Sequence, residues 1–121
     1  MKYLCLIYNQ ERNLAGLSKA EWDALKEEYF AFTDGIRASG HHLGGNSLQA
    51  TREARTLRIR DGRISASDGP FAETTEQLGG YYLFEARDLN DAIQVAAKIP
   101  PAREGSIEVR PVRQLDPETW V

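Results

Sequence analysis

Two short runs, Tyr3-Leu4-Cys5-Leu6-Ile7-Tyr8 and Tyr81-Tyr82-Leu83-Phe84, are apolar at every position. Each is too short for a core helix, and its aromatic, β-branched and leucine content suits a strand. Successive side chains of a strand point to opposite faces. Tyr3, Cys5 and Ile7 therefore face one way, and Leu4, Leu6 and Tyr8 the other. A strand covered on one face alternates apolar with polar residues; these two do not, so both of their faces need cover. Any fold for this chain must put the two runs in the middle of a sheet and shield both of its sides.

The rest of the chain supplies the partners. The first strand spans residues 2–9. A helix follows over 19–39, with Ser18 as N-cap and Glu21 three residues on completing a capping box. Trp22, Leu25, Tyr29, Phe32 and Ile36 recur at spacings of 3, 4, 3 and 4, one apolar stripe that reads as core; Gly40 ends the helix. By helical phase Phe30 falls instead on the polar face, where a subunit or flap contact is the sharper reading. Residues 41–49 form a weak strand in which Gly44 and Gly45 suggest a bulge or a close backbone approach. A hairpin follows: Asp61-Gly62 signals a two-residue type I′ turn, which pairs Arg60 with Arg63, Ile59 with Ile64 and Leu57 with Ala66. The aliphatic residues share one face and the arginines the other. Residues 68–78 form a connector with room for one helical turn. The third strand spans 79–86, and a second helix starts at the N-cap Asp88 and stops at Pro100-Pro101. In the last strand, 106–112, Ile107 and Val109 alternate with Glu108 and Arg110, as an edge strand covered on one face does.

The order is β-α-β-(hairpin)-β-α-β, an α+β chain of ferredoxin-like βαββαβ plan with an inserted β-hairpin. In the usual strand order, 4-1-3-2, the two continuously apolar strands are central. Two helices cover one face only. The other would leave an apolar patch of some hundreds of Å², which monomers rarely expose. A homodimer in which two sheets pack face to face is expected.

Composition narrows the function classes. With 18 acidic and 15 basic residues the net charge is −3, against general nucleic-acid binding. No stretch approaches the ~20 apolar residues needed to span a bilayer, so no membrane partner is expected. The single cysteine, Cys5, lies inside an apolar strand and reads as a buried thiol of a cytoplasmic protein. No cysteine cluster, HExxH, phosphate-binding loop or GxGxxG occurs, so neither a metal nor a cofactor is expected.

The most distinctive string is DGPFAETTEQLGG, residues 68–80, which gathers carboxylates, threonines and a glutamine between strands. Such a loop resembles a pocket lining. Glu73 and Glu76, at i and i+3, could share a helical face as paired acid/base carboxylates do. The only histidines, His41 and His42, point oppositely if they lie on a strand, so they do not readily share a metal; either could meet Asp68 as an acid/base pair. Tyr8 and Tyr81, with Asp68, Glu73, Thr74, Glu76 and Gln77, are the candidate ligand-binding residues. Arg52, Arg55, Arg58, Arg60 and Arg63 crowd the hairpin, as a solvated face or a docking patch.

These residues carry a resemblance. The opening strand, the string DGPFAETTEQLGGYY over residues 68–82 and the closing Glu108-Val109-Arg110-Pro111-Val112 resemble the YCII-related domain family, in the subgroup named for its DGPF motif. The resemblance implies a domain over 1–113 with a tail at 114–121, and a dimeric α+β barrel. Relatives in the broader family look like small enzymes with a His–Asp pair, among them a dehydrochlorinase of a chlorinated hydroxyquinone. Asp68 matches their aspartate; their histidine lies near the start of the first helix, where this chain reads Ser18-Lys19-Ala20-Glu21-Trp22. Thr75 stands where many members have lysine. Many DGPF relatives are linked with extracytoplasmic-function sigma factors, which implies a regulatory or accessory role.

Three functions follow as expectations. The first is a homodimer that binds an unidentified small molecule in a regulatory or accessory role. The second is a cofactor-free lyase or hydrolase using Asp68 with His41 or His42. The third is an interaction module, docking through the arginine hairpin and associated with a sigma factor.

Overall fold

A computed structural model of the chain describes residues 1–115; the tail from residue 116, including Trp120, lies outside the described residues. The elements are β1 (Lys2–Asn9), α1 (Glu11–Ala15), α2 (Lys19–Ala38), β2 (His42–Ser47), β3 (Arg55–Arg60), β4 (Arg63–Asp68), β5 (Gln77–Glu85), α3 (Leu89–Ala96) and β6 (Ser106–Pro111), with short 3-10 turns at Thr51–Glu53 and Pro100–Arg103. Among the described residues no helix is long and apolar enough to cross a membrane.

Four strands form an antiparallel sheet in the order β2-β5-β1-β6, an α+β arrangement compatible with a ferredoxin-like plan. The two apolar runs, β1 and β5, are its central strands. Their register sets Cys5 opposite Tyr82 and Tyr3 opposite Phe84 on one face, with Leu4 opposite Leu83 and Leu6 opposite Tyr81 on the other. The first face carries the core: Cys5, Ile7, Tyr82 and Phe84 pack against Ile36 of α2 and Val95 and Ala96 of α3. Tyr3, Ala86 and Ala92 form a smaller cluster beside it. The rings of Phe32, Tyr82 and Phe84 meet at centroid distances of 5.2 to 6.4 Å, where edge and offset contacts are favourable.

With the helices on that face, Leu4, Leu6, Tyr8, Tyr81 and Leu83 on the opposite face are only half-buried. Burial inside the single chain therefore satisfies one side of each central strand.

Local signals explain the element ends. Ser18 Oγ accepts from the Glu21 N–H while Glu21 Oε1 accepts from the Ser18 N–H, the capping box that starts α2. Asp88 caps α3 through the Asp91 N–H. Asp61 and Gly62 take φ of 52° and 74°, the left-handed pair that a type I′ turn requires. The β3–β4 register sets Arg60 opposite Arg63, Ile59 opposite Ile64 and Leu57 opposite Ala66, and the two strands form a separate sheet. A bulge beside the glycine pair is present as a register shift between His42 and Gly44 in the β2–β5 pairing.

One expectation changes, and one element is added. Residues 69–76 contain no helical turn, so Glu73 and Glu76 do not share a helical face. Gly69 takes φ of 96° and Pro70 follows it, which breaks any helical continuation at the start of the loop. The polar stretch after β1 forms the short helix α1, whose first N–H is satisfied from outside by Gln77 Oε1 at 3.0 Å.

Candidate functional site

The loop after β4 uses its polar groups to hold itself in place. Gln77 Nε2 donates to the carbonyls of Thr74 and Thr75 at 2.7 and 3.3 Å, while its oxygen caps α1. The Thr74 hydroxyl bonds the Glu76 carbonyl, and the Glu76 carboxylate accepts from Ser106 Oγ of β6 at 2.6 Å. Glu73 is exposed. Asp68 ends β4 with its side chain 88% exposed and 3.1 Å from Arg55 Nε. Tyr8 and Tyr81 lie on the open face of the sheet, where the Tyr81 hydroxyl accepts from Asn46 Nδ2 at 2.8 Å.

The two histidines part company. His41 precedes β2; its Nδ1 is 2.7 Å from Ser39 Oγ, and its Nε2 is 3.1 and 3.2 Å from the two oxygens of Asp91. Its acidic partner is thus at the start of α3. The expected pairing of His41 with Asp68 is not formed; Asp68 is paired with Arg55 instead. Ser39, His41 and Asp91 make a row of hydroxyl, imidazole and carboxylate at the C-terminal end of α2. The backbone N–H groups of Ser39, Gly40 and His41 donate to the carbonyls of Gly35, Arg37 and Ile36. None of these N–H groups is left to stabilise an oxyanion, and a helix C-terminus favours cations rather than anions. The row acts as a clamp from the end of α2 to the start of α3.

That clamp has a pH signature. The Asp91 carboxyl is held below its ordinary value, first by the Arg87 N–H at 3.0 Å and then by His41, against the opposing effect of burial. A carboxylate with a lowered folded pKa adds stability above its unfolded pKa and loses it as pH falls through the folded value. Asp91→Asn is therefore expected to melt below the parent at neutral pH, with the gap closing in strong acid. Thermal unfolding across the acid range checks this; a gap that stays constant overturns it.

His42 turns the other way, into a cleft between α2 and the β2–β5 side of the sheet. The cleft has a volume of about 440 Å³ and is walled by Trp22, Tyr29, Thr33, Arg37, His42 and Tyr82, among others. A second lobe of about 290 Å³ continues past Trp22 and Tyr29 toward Asn9, Glu11 and Leu48. The cause is local. Gly45, opposite Tyr82, puts no side chain on the α2 side of β2, so the Tyr82 ring lies against the strand there. A Cβ on Gly45 would come within 2.8 Å of both the Tyr81 carbonyl and the Tyr82 ring. The Tyr82 hydroxyl is 2.9 Å from Thr33 Oγ1, and His42 stands edge-on to its ring with centroids 6.4 Å apart.

The lining mixes aromatic walls with cations. Trp22 is 40% and Phe30 66% exposed, so the α2 stripe is wider than the sheet can bury. Lys26 and Arg37 also line the cleft, in loose ion pairs with Asp23 at 3.4 Å and Asp34 at 3.8 Å. Burial, with Tyr82 beside it, pushes the Tyr29 phenol up, so Tyr29 stays protonated and can donate a hydrogen bond. In the second lobe Asn9 Oδ1 is buried with no hydrogen-bond partner, a position that carries an energetic cost unless a guest or water supplies a donor. Glu11 is committed to the N–H and hydroxyl of Thr51 at 2.7 and 2.8 Å. Among the described residues no group of three or more His, Cys, Asp or Glu side chains could hold a metal ion.

Of the candidate site residues, the cleft takes in the His42 side chain; Tyr81 borders it with its side chain on the open face. Trp22, Tyr29, Thr33 and Arg37 were hidden because an aromatic stripe on a helix reads as core. The signal that could have exposed them is Gly45 on the facing strand, which carries no side chain toward α2.

Comparison with known proteins places this geometry in a wider group. The family model of the YCII-related domain matches residues 1–116. An uncharacterized protein of Rhizobium meliloti (strain 1021) is 35% identical over 119 residues, covering 97% of this chain and 96% of its own.

Proposed function

The chain belongs to the YCII-related domain family, and on that premise we propose that it is a cytoplasmic homodimer of the DGPF subgroup. In this reading each subunit binds a small aromatic anion in the cleft between α2 and β2, in a regulatory or accessory role. The observation that carries it is the lining: Trp22, Phe30 and Tyr29 offer ring faces, and Lys26, Arg37 and His42 sit where a carboxylate or phenolate would project. Pockets of a few hundred Å³ with apolar walls and a few polar groups are typical for small ligands. The Asp68-Gly69-Pro70-Phe71 motif supports the subgroup, and the half-buried face of β1 and β5 supports the dimer. Cys5 supports a reducing compartment: it is a free thiol, fully buried, with its pKa pushed up to about 12 by burial.

The test is a thermal-shift and calorimetric screen with 4-hydroxybenzoate, indole-3-acetate and the neutral control benzyl alcohol. The aromatic carboxylates are expected to raise the melting temperature, and a ligand at ~100 times its Kd adds about 2.7 kcal/mol. Arg37→Ala removes one charge-assisted hydrogen bond and is expected to weaken carboxylate binding roughly 10- to 100-fold, as a loss of ~1.5–3 kcal/mol dictates. No shift with either carboxylate at millimolar concentration, or equal binding by Arg37→Ala, overturns the reading.

A further inference from the structure

The β3–β4 arm has one face built for burial, and among the described residues nothing in its own chain buries it. Leu57 pairs with Ala66 and Ile59 with Ile64 on that face, while Arg58 pairs with Ser65 and Arg60 with Arg63 on the other. Leu57 and Ile59 are each 58% exposed and Ile64 73%. Alternation of this kind marks a sheet with one side packed and one side wet. A lone two-stranded hairpin is marginal in water without a third strand or a packing surface.

The open face of the main sheet has the complementary shortfall. Its strands β1, β2, β5 and β6 are 8, 6, 9 and 6 residues long; at ~4.8 Å spacing and ~3.4 Å per residue they present a footprint of roughly 470 Å². A stable association buries about 800 Å² per partner, so two sheets face to face fall well short of it. The arm leaves the chain between β2 and β5, next to the strand that carries Tyr81 and Leu83 on the open face. Its aliphatic face is an exposed apolar surface carried by the segment that joins β2 to β5.

We propose that the arm is exchanged between two copies of this chain: each arm lays Leu57, Ile59 and Ile64 on the partner subunit and completes the interface that the open sheet faces begin. The inference rests on the homodimer reading above and adds the element that makes it stable. The arginine face stays in solvent, where Arg58 lies 5.7 Å over the Phe71 ring and keeps the arm from pairing with further copies.

Sedimentation of three proteins tests it: wild type, the double variant Ile59→Asp with Ile64→Asp, and the open-face variant Leu6→Asp. The arm variant is expected to raise the dimer Kd at least about 100-fold, two buried anchors at roughly tenfold or more each. If the arm variant dimerises as tightly as wild type while Leu6→Asp is monomeric, arm exchange is overturned and the sheet dimer stands. A monomeric wild type overturns both. A milder probe avoids any question of folding. Ile64→Cys puts a thiol on the arm, and the other thiol, Cys5, is fully buried. Alkylation at residue 64 is expected to slow as protein concentration rises through the dimer Kd, and a rate independent of concentration overturns the exchange.

Discussion

Leu6→Asp is expected to turn the proposed homodimer into a folded monomer. Leu6 lies at the centre of the open face, opposite Tyr81 on β5 and Glu108 on β6, and it is absent from the buried clusters that hold the helices to the sheet. The substitution therefore leaves the core of one subunit intact. In a two-fold pair it places two carboxylates in the middle of an apolar contact. Each lost leucine removes ~1.5–3 kcal/mol of burial, and an unpaired charge in such a contact costs several kcal/mol more. At ~1.4 kcal/mol per factor of ten, the dimer Kd rises at least about 1,000-fold. Sedimentation velocity reads the loss, and circular dichroism should show the parent secondary structure. A dimer that survives the substitution would move the contact to another surface.

The second large effect is on stability. Phe84 is fully buried and lies among Phe32, Tyr82, Cys5, Val95 and Ile99 where both long helices meet the sheet. Phe84→Ala is expected to cost ~3–5 kcal/mol, the lost transfer of the ring together with the cavity left behind. A domain of this size holds ~5–15 kcal/mol in all, so the melting temperature falls roughly 10–20 °C. The denaturation midpoint should drop with its slope unchanged. Ligand affinity should fall as well, because Tyr82 forms a wall of the cleft and its ring lies 5.9 Å from that of Phe84. A loss under ~1 kcal/mol would mean that Tyr82 and Ile36 close over the gap and that the core is less tightly specified than its burial indicates.

Much of the frame could be read from short stretches. A strand has a period of two, so Tyr3, Cys5 and Ile7 had to share one face and Leu4, Leu6 and Tyr8 the other. Asp61-Gly62 requires a turn with both φ positive, and that turn alone sets the register of Leu57, Ile59 and Ile64 against their partners. Ser18 and Glu21 mark the start of α2 three residues apart. In each case the cause and its effect lie within a few residues, and the backbone geometry between them is rigid.

The site is different because its members meet across long separations. Asp68 is the partner the sequence suggests for His41; His41 meets Asp91 instead, 50 residues on, because α3 starts beside the end of α2. The polar string at 68–78 looked like a lining, yet Gln77, Thr74 and Glu76 are drawn into holding the loop to α1 and β6. The stripe of α2 looked like core, and most of it is: Ile36 is buried and Tyr29 and Phe32 pack against the core, while Trp22 is left 40% exposed.

Strand faces, helix ends and the hairpin pairing are thus written in residue order, since periodicity and turn chemistry act over one or two turns of chain. The partner of His41, the cleft under α2 and the exposed side of the arm depend on how helices of fixed shape lie across a twisted sheet. That depends on the volume of every side chain between them, and no local pattern contains it.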